Sequence, residues 1–117
     1  MGTMVRVITV FALQALLLLA SFTVSAADEA ETQRAAVAEY FNKGASPEIQ
    51  QAVWSSRNLF NVGVHYMGAD QSAIADDVCL VLAAKGVAGN IRVRVIDINT
   101  MGSDQERWEV VGWASCP

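Results

Sequence analysis

The sequence is poor in side chains that bind metal ions. Of its 117 residues, only His65 is a histidine, and only Cys79 and Cys116 are cysteines. A structural zinc site needs four nitrogen or sulfur ligands, so the chain has too few donors for one. The aspartates between positions 70 and 77 do not have the spacing of a calcium-binding loop, and they suit the start of a helix better. We therefore expect no metal site and no cofactor.

The short motifs of common catalytic sites are also missing. The chain has no serine-elbow signature, no phosphate-holding glycine loop and no paired histidines of a metalloprotease helix. The glycines of segment 86–89 instead predict the end of a helix and the entry to a strand. Nothing in the sequence places a nucleophile beside His65. We expect a protein that is not an enzyme, with a small hydrolase using His65 as an alternative.

Basic residues are scarce. Eight lysines and arginines stand against twelve aspartates and glutamates, which gives a formal net charge of −4. Nucleic acids are bound largely through Lys and Arg on phosphates. The charge balance therefore excludes DNA and RNA as partners.

One N-terminal segment lacks charge altogether. Residues 1–6 carry the amino group and Arg6, residues 7–20 contain no charged side chain, and small residues follow up to Ala26. This pattern is typical of a secretory signal peptide, and the run is shorter than the roughly 20 residues of a membrane-spanning helix. We predict a signal peptide over 1–26 and a single domain over 27–117. The protein would be periplasmic or extracellular, with no membrane span after cleavage.

Export changes the expected state of the two cysteines. Cys79 and Cys116 both lie in the predicted mature domain, and paired thiols in an oxidising compartment usually form a disulfide. Closing a loop of this length removes unfolded-chain entropy worth roughly 4 kcal/mol. We therefore predict one disulfide that stabilises a small domain.

Hydrophobic periodicity predicts six elements and a two-layer α+β domain with a three-stranded mixed sheet. Helical spacing, alternation and capping residues give the order helix, helix, strand, helix, strand, strand. The second helix would begin at Ser46 and Pro47 and end near Arg57. The strands after the third helix would form an antiparallel hairpin with a long, mobile loop. The elements in order are a helix over 29–43, a helix over 46–57, a strand over 59–67, a helix over 70–85, and strands over 91–98 and 107–115.

Alternation assigns the two faces of this sheet. On one face of the last strand lie Trp108, Val110, Gly112, Ala114 and Cys116. Cysteine 79 lies near the apolar stripe of the 70–85 helix, so the disulfide would tie that helix to this face, which we take to be the core.

The opposite face carries the candidate binding residues Arg92, Arg94, Trp113 and His65. It is too apolar for an ordinary solvated face, because Leu59 and several other aliphatic residues share it. Three interpretations remain open: the two N-terminal helices cover it, it forms a homodimer, or it binds another protein. Trp and Arg are enriched at protein-binding hot spots because one buries a large area and the other makes forked, charge-assisted bonds.

The sequence thus predicts an exported, non-enzymatic protein that acts through protein–protein contacts. An inhibitor, an immunity-type factor or an envelope adaptor would fit this description. The alternative in another class is a secreted domain that binds a small ligand in a pocket between the sheet and the helices.

Overall fold

The computed structural model describes residues 25–117, which form two α-helices and a single sheet of four strands. The predicted signal peptide lies outside these residues except for its last two positions. Two short 3-10 helices, Ile98–Thr100 and Gln105–Arg107, interrupt the connection between the last two strands. The elements in chain order are α1 (Ala26–Asn42), β1 (Ile49–Ser56), β2 (Leu59–Val64), α2 (Ser72–Ala84), β3 (Arg92–Asp97) and β4 (Val110–Ser115).

The strands follow chain order across the sheet, β1-β2-β3-β4. The outer pairs are antiparallel hairpins, β1 with β2 and β3 with β4, and the central pair β2 and β3 is parallel. Because α2 connects the parallel pair, the central unit is a strand-helix-strand crossover. The α+β class, the mixed sheet and the final hairpin are confirmed, but the sheet has four strands rather than three.

The predicted helix over 46–57 is wrong, because this segment is the edge strand β1. Its buried residues Ile49 and Ala52 are three positions apart, which is a helical spacing. In the structure, Ile49 pairs with Val64 and Gln51 with Gly63, so Gln50 is an extra residue in an irregular ladder. A bulge of this kind brings residues i and i+3 of a strand to the same face. The spacing of the apolar residues in this strand is therefore the same as in a helix.

Helix α1 begins after Ser25, whose hydroxyl accepts a hydrogen bond from the Asp28 backbone N–H at 3.3 Å. The predicted helix over 29–43 therefore begins three residues too late. At the other end, the side-chain amide of Asn42 donates to the Ala52 carbonyl at 2.9 Å and accepts from the Ala52 N–H at 2.8 Å. Asn42 thus provides hydrogen-bond partners for backbone groups on the free edge of β1.

Both helices lie on one face of the sheet. Phe60 and Val62 of β2 and Val93 of β3 are completely buried there. The ring of Phe41 from α1 lies 6.0 Å from that of Phe60, measured between centroids, and Leu82 of α2 belongs to the same apolar cluster. The interpretation in which N-terminal helices cover the opposite face is therefore wrong, since α1 uses its apolar residues on the core face.

Helix α2 is bound closely to β4. The predicted disulfide is present, joining Cys79 of α2 to Cys116 just beyond β4, with 5.3 Å between their Cα atoms. A side chain at Gly112 would lie 2.5 Å from backbone atoms of Gln71 and Ser72, so the start of α2 requires glycine here. Gly86 ends α2 with a φ of +76°, and the Val87 N–H then donates to the Leu82 carbonyl at 2.9 Å, as predicted. The disulfide is compatible with an oxidising, exported location.

The faces of β4 follow the prediction only in its second half. Ala114 and Cys116 are buried on the core face. The ladder shifts where Val95 pairs with Gly112 but Ile96 pairs with Val110, which leaves one extra residue in β4. Val110 is consequently exposed rather than in the core, since one inserted residue reverses the faces that precede it. Trp108 lies outside the strand altogether.

Within residues 25–117, neither helix combines the length and the apolar character needed to cross a lipid bilayer.

Candidate functional site

The face of the sheet opposite the helices is half covered by the chain itself. The loop between β3 and β4, residues 98–109, which we call the cover loop, crosses it. A methyl group at Gly63 of β2 would collide with the Met101 sulfur and the Ile98 Cδ1 atom, so these two side chains sit directly on the sheet. Met101 and Ile96 are buried as a result. This cover explains why apolar residues occur on a face that no helix covers.

Hydrogen bonds within the cover loop hold its two ends together. The Thr100 hydroxyl donates to the Asp97 carbonyl at 2.7 Å and accepts from the Glu109 N–H at 3.0 Å. The indole N–H of Trp108 donates to the Ser103 carbonyl at 3.0 Å. The loop that we expected to be mobile is instead held by internal hydrogen bonds and packs on β2.

A row of polar side chains runs across the sheet beside this cover. Asn61 of β2 is the one polar residue that is fully buried among those the structure describes. Its amide N–H₂ donates to the Ser55 hydroxyl at 2.7 Å and the Val53 carbonyl at 3.2 Å, and its oxygen accepts from Arg94 Nε at 2.8 Å. The Ser55 hydroxyl donates onward to Gln105 of the cover loop at 2.9 Å. This chain of bonds orients Arg94 and attaches the loop to β1.

Beyond the cover loop lies the Trp113 cluster, which consists of Arg92, Arg94 and Trp113. The guanidinium carbon of Arg92 lies 4.8 Å from the centroid of the Trp113 indole, and Arg94 pairs with Trp113 across the β3–β4 ladder. The indole nevertheless remains 53% exposed. Within residues 25–117 neither arginine forms an ion pair, since the only pairs there involve Glu31 and Glu39. The cluster thus joins two uncompensated positive charges to an exposed aromatic surface.

His65 lies apart from this cluster. It follows the last residue of β2, where Val64 pairs with Asp97, whereas Asn61 pairs with Arg94. Asn61 and His65 are four positions apart along the chain, which corresponds to about 13 Å in a strand. The His65 side chain is exposed and makes no hydrogen bond to any residue from 25 to 117. The structure therefore brings together three of the four predicted binding residues and places the fourth elsewhere.

The described part of the chain contains no group of three His, Cys, Asp or Glu side chains close enough to hold a metal ion. Asp70 instead accepts hydrogen bonds from the Ser72 N–H at 3.2 Å and the Ser72 hydroxyl at 2.8 Å, at the start of α2. The Ser72 hydroxyl in turn accepts from the Trp113 N–H at 3.1 Å, on the outer edge of β4. These polar groups connect α2 to the strand that carries the cluster.

Sequence reasoning missed two features of functional interest. Asn61 orients Arg94, which the sequence pattern did not predict; a lone Asn among apolar strand residues was the available signal. A groove of about 220 Å³ also opens between α1, α2 and β1, and it was predicted only as an unspecified pocket. Its lining residues are Tyr40, Phe41, Ala45, Ser46, Glu48, Ile49, Ile74, Asp77, Val78 and Val81.

Comparisons with family models, with curated proteins and with solved structures find no match to this chain. The function proposed below therefore depends on the geometry of the described residues and on the sequence.

Proposed function

We propose that this chain is an exported, non-enzymatic protein that binds a protein partner through the Trp113 cluster. The observation that carries the proposal is the Arg92 guanidinium packed against a Trp113 ring that stays half exposed. A second guanidinium group, that of Arg94, lies on the same face and is oriented by its hydrogen bond to Asn61. Trp and Arg placed together in this way are the residue types that dominate binding energy at protein interfaces.

The chemistry of the cluster favours a partner that presents a carboxylate next to an apolar group. Asn61 uses only the Nε atom of Arg94, so the terminal N–H groups of Arg94 remain for a forked bond with a carboxylate. Arg92 offers the same donors without an acidic neighbour in residues 25–117. An apolar side chain of the partner would cover the Trp113 ring and remove it from water.

A homodimer through this cluster is less favourable than binding to a different protein. A twofold interface centred on the cluster would place each cluster against its own copy and bring four arginines together. Like charges across an interface oppose association. The partner is therefore a different protein, and an inhibitor, an immunity-type factor or an envelope adaptor would each meet such a partner in the periplasm or outside the cell.

Export is the second part of the proposal. The uncharged segment 7–20 and the small residues up to Ala26 support it, and the Cys79–Cys116 bond fits an oxidising compartment. Sequencing the N-terminus of the protein recovered from its native cells should give Ala27. Recovery of the full-length chain with Met1 from the cytoplasm, with reduced cysteines, would contradict export.

Copurification tests the binding proposal. The tagged protein is recovered from an envelope extract, the partner is identified by mass spectrometry, and the complex is rebuilt from the two purified components. The complex should have a fixed stoichiometry and should be lost with Trp113→Ala. The matched control is Val110→Ala, because Val110 is exposed on the same strand but outside the cluster. A complex that survives Trp113→Ala unchanged would refute the proposed surface.

Catalysis by His65 is not part of this proposal. The exposed His65 has no hydrogen-bond partner among residues 25–117, so nothing there orients it as a base. If the protein is found to have a hydrolytic activity, the variant His65→Ala should retain it. Loss of that activity in a folded His65→Ala protein would revive the hydrolase alternative.

A further inference from the structure

The groove between the helices has apolar walls and acidic positions. Phe41 of α1 and Val78 and Val81 of α2 line it, and Ile49 of β1 lies between the two helices. Glu48, just before β1, and Asp77 of α2 line the same groove. The volume of about 220 Å³ suits a fragment-sized molecule rather than a peptide.

The two carboxylates of the groove are not neutralised by the described residues. The nearby Lys43 is bound to Glu39, with 2.8 Å between Nζ and the carboxylate oxygen. That hydrogen bond, together with the charge of Lys43, lowers the pKa of Glu39. No ion pair involving Glu48 or Asp77 occurs within residues 25–117. The groove therefore has negative charge beside an apolar wall.

An ammonium group already contacts the aromatic side of the groove. The Lys85 Nζ atom lies 4.1 Å from the centroid of the Tyr40 ring, and Tyr40 is one of the lining residues. A cation is attracted to the face of an aromatic ring by the quadrupole of the ring. The ring of this lining residue therefore has a face that an ammonium group contacts.

We propose that this groove is a binding site for a small organic cation, an ammonium group attached to an apolar ring or chain. The apolar part would contact Tyr40, Ile74 and Val81, the apolar lining residues whose side chains are partly exposed, and the ammonium would lie between the Glu48 and Asp77 carboxylates. An anion of the same shape is excluded by those carboxylates, and a neutral analogue lacks the charge interaction. The site is separate from the Trp113 cluster, since it lies on the helix side of the sheet.

Three probes of nearly equal size and different charge test this proposal. They are 2-phenylethylamine, 2-phenylethanol and phenylacetate, each titrated into the disulfide-bonded protein while amide chemical shifts are recorded by NMR. For a ligand of about nine non-hydrogen atoms, a dissociation constant near 1 mM is a reasonable scale. The amine should shift the amides of groove residues and bind most tightly, the alcohol should bind about threefold to tenfold more weakly, and phenylacetate should cause no shift there.

Isosteric variants identify the charges responsible. Asp77→Asn and Glu48→Gln should each weaken amine binding by about threefold and leave binding of the alcohol unchanged. The matched control is Asp76→Asn, because Asp76 is exposed on the same helix but does not line the groove. Lys85→Gln should strengthen amine binding by about twofold, since it removes a positive charge beside the Tyr40 wall of the groove.

Equal binding of the amine and the alcohol would overturn the proposal, as would an equal loss on Asp76→Asn and Asp77→Asn. So would the absence of shifts at groove residues at about 10 mM amine, ten times the expected dissociation constant. The variant Trp113→Ala should bind the amine like the wild type. That control separates this site from the partner surface, so that failure of one proposal does not decide the other.

Discussion

The two faces of the sheet are closed in different ways. The helix side is filled by apolar side chains of α1, α2 and the central strands, and a disulfide adds a covalent tie from α2 to the end of β4. The opposite side is half covered by the cover loop, which is attached through Met101 and through the hydrogen bond from Ser55 to Gln105. The remaining corner, with Arg92 and Trp113, is open.

This difference separates stability from recognition. Burial of apolar surface is the main favourable term in folding, and nearly all of the fully buried apolar side chains face the helices. The open corner contributes little to that term, since its tryptophan is still half exposed. Substitutions there can change binding without unfolding the domain. Four substitutions examine this division, from the largest expected change in stability to the smallest.

Removal of the disulfide should have the largest effect. The double variant Cys79→Ala and Cys116→Ala should lose about 4 kcal/mol of unfolding free energy, because the bond closes a loop with a sequence separation of 37 residues. Urea denaturation followed by tryptophan fluorescence measures the loss. Adding reductant to the wild type should reproduce it and have no effect on the double variant. A loss below about 1 kcal/mol would mean that the helix side does not depend on this tie.

Asn61→Ala should have the next largest effect, about 2 kcal/mol, because it leaves Arg94 Nε and the Val53 carbonyl without their partner in a buried place. It should also weaken partner binding, since Arg94 would no longer be oriented. Asn58→Ala is the control: Asn58 is exposed, its amide bonds to carbonyls at 3.3 and 3.5 Å, and its loss should cost under about 0.5 kcal/mol. Equal losses of unfolding free energy for the two variants would show that the Asn61 hydrogen bonds stabilise the fold no more than an exposed hydrogen bond does.

Gly63→Ala should cost about 1.5 kcal/mol, because the new methyl group displaces Met101 and Ile98 from the sheet. In a Met101→Ala background the same substitution should cost clearly less, because only the contact with Ile98 then remains. Denaturation of the four proteins of this double-mutant cycle measures the coupling. Additive effects would mean that the cover loop does not pack on Gly63.

Much of this fold was predictable from local patterns. The apolar stripes of α1 and α2, the alternation of β2 and β3, and the redox setting of Cys79 and Cys116 were sufficient for those features. Strand β1 was not predictable, because the irregular pairing at Gln50 gives Ile49 and Ala52 a helical spacing. The bulge in β4 was missed for the same reason, and it reversed the expected face of Val110.

The candidate site was predictable only in part. Alternation alone placed Arg92, Arg94 and Trp113 on one face, and the structure brings them together. Alternation also placed His65 on that face, but it does not give the register between neighbouring strands, which decides how far His65 lies from Arg94. The packing of the cover loop could not be predicted from the sequence. It depends on a long-range contact, in which Met101 occupies the space that Gly63 leaves open on the sheet.

Trp113→Ala tests the central claim most directly, because it should have the smallest effect on stability and the largest on recognition. With the purified partner, binding to this variant and to wild type is compared by isothermal titration calorimetry at one salt concentration. We expect the unfolding free energy to fall by about 1 kcal/mol or less, the scale of the lost Arg92–Trp113 contact, and the affinity to fall at least about thirtyfold. Unchanged affinity, or loss of the fold itself, would contradict the division of the molecule into a stabilising face and a recognition corner.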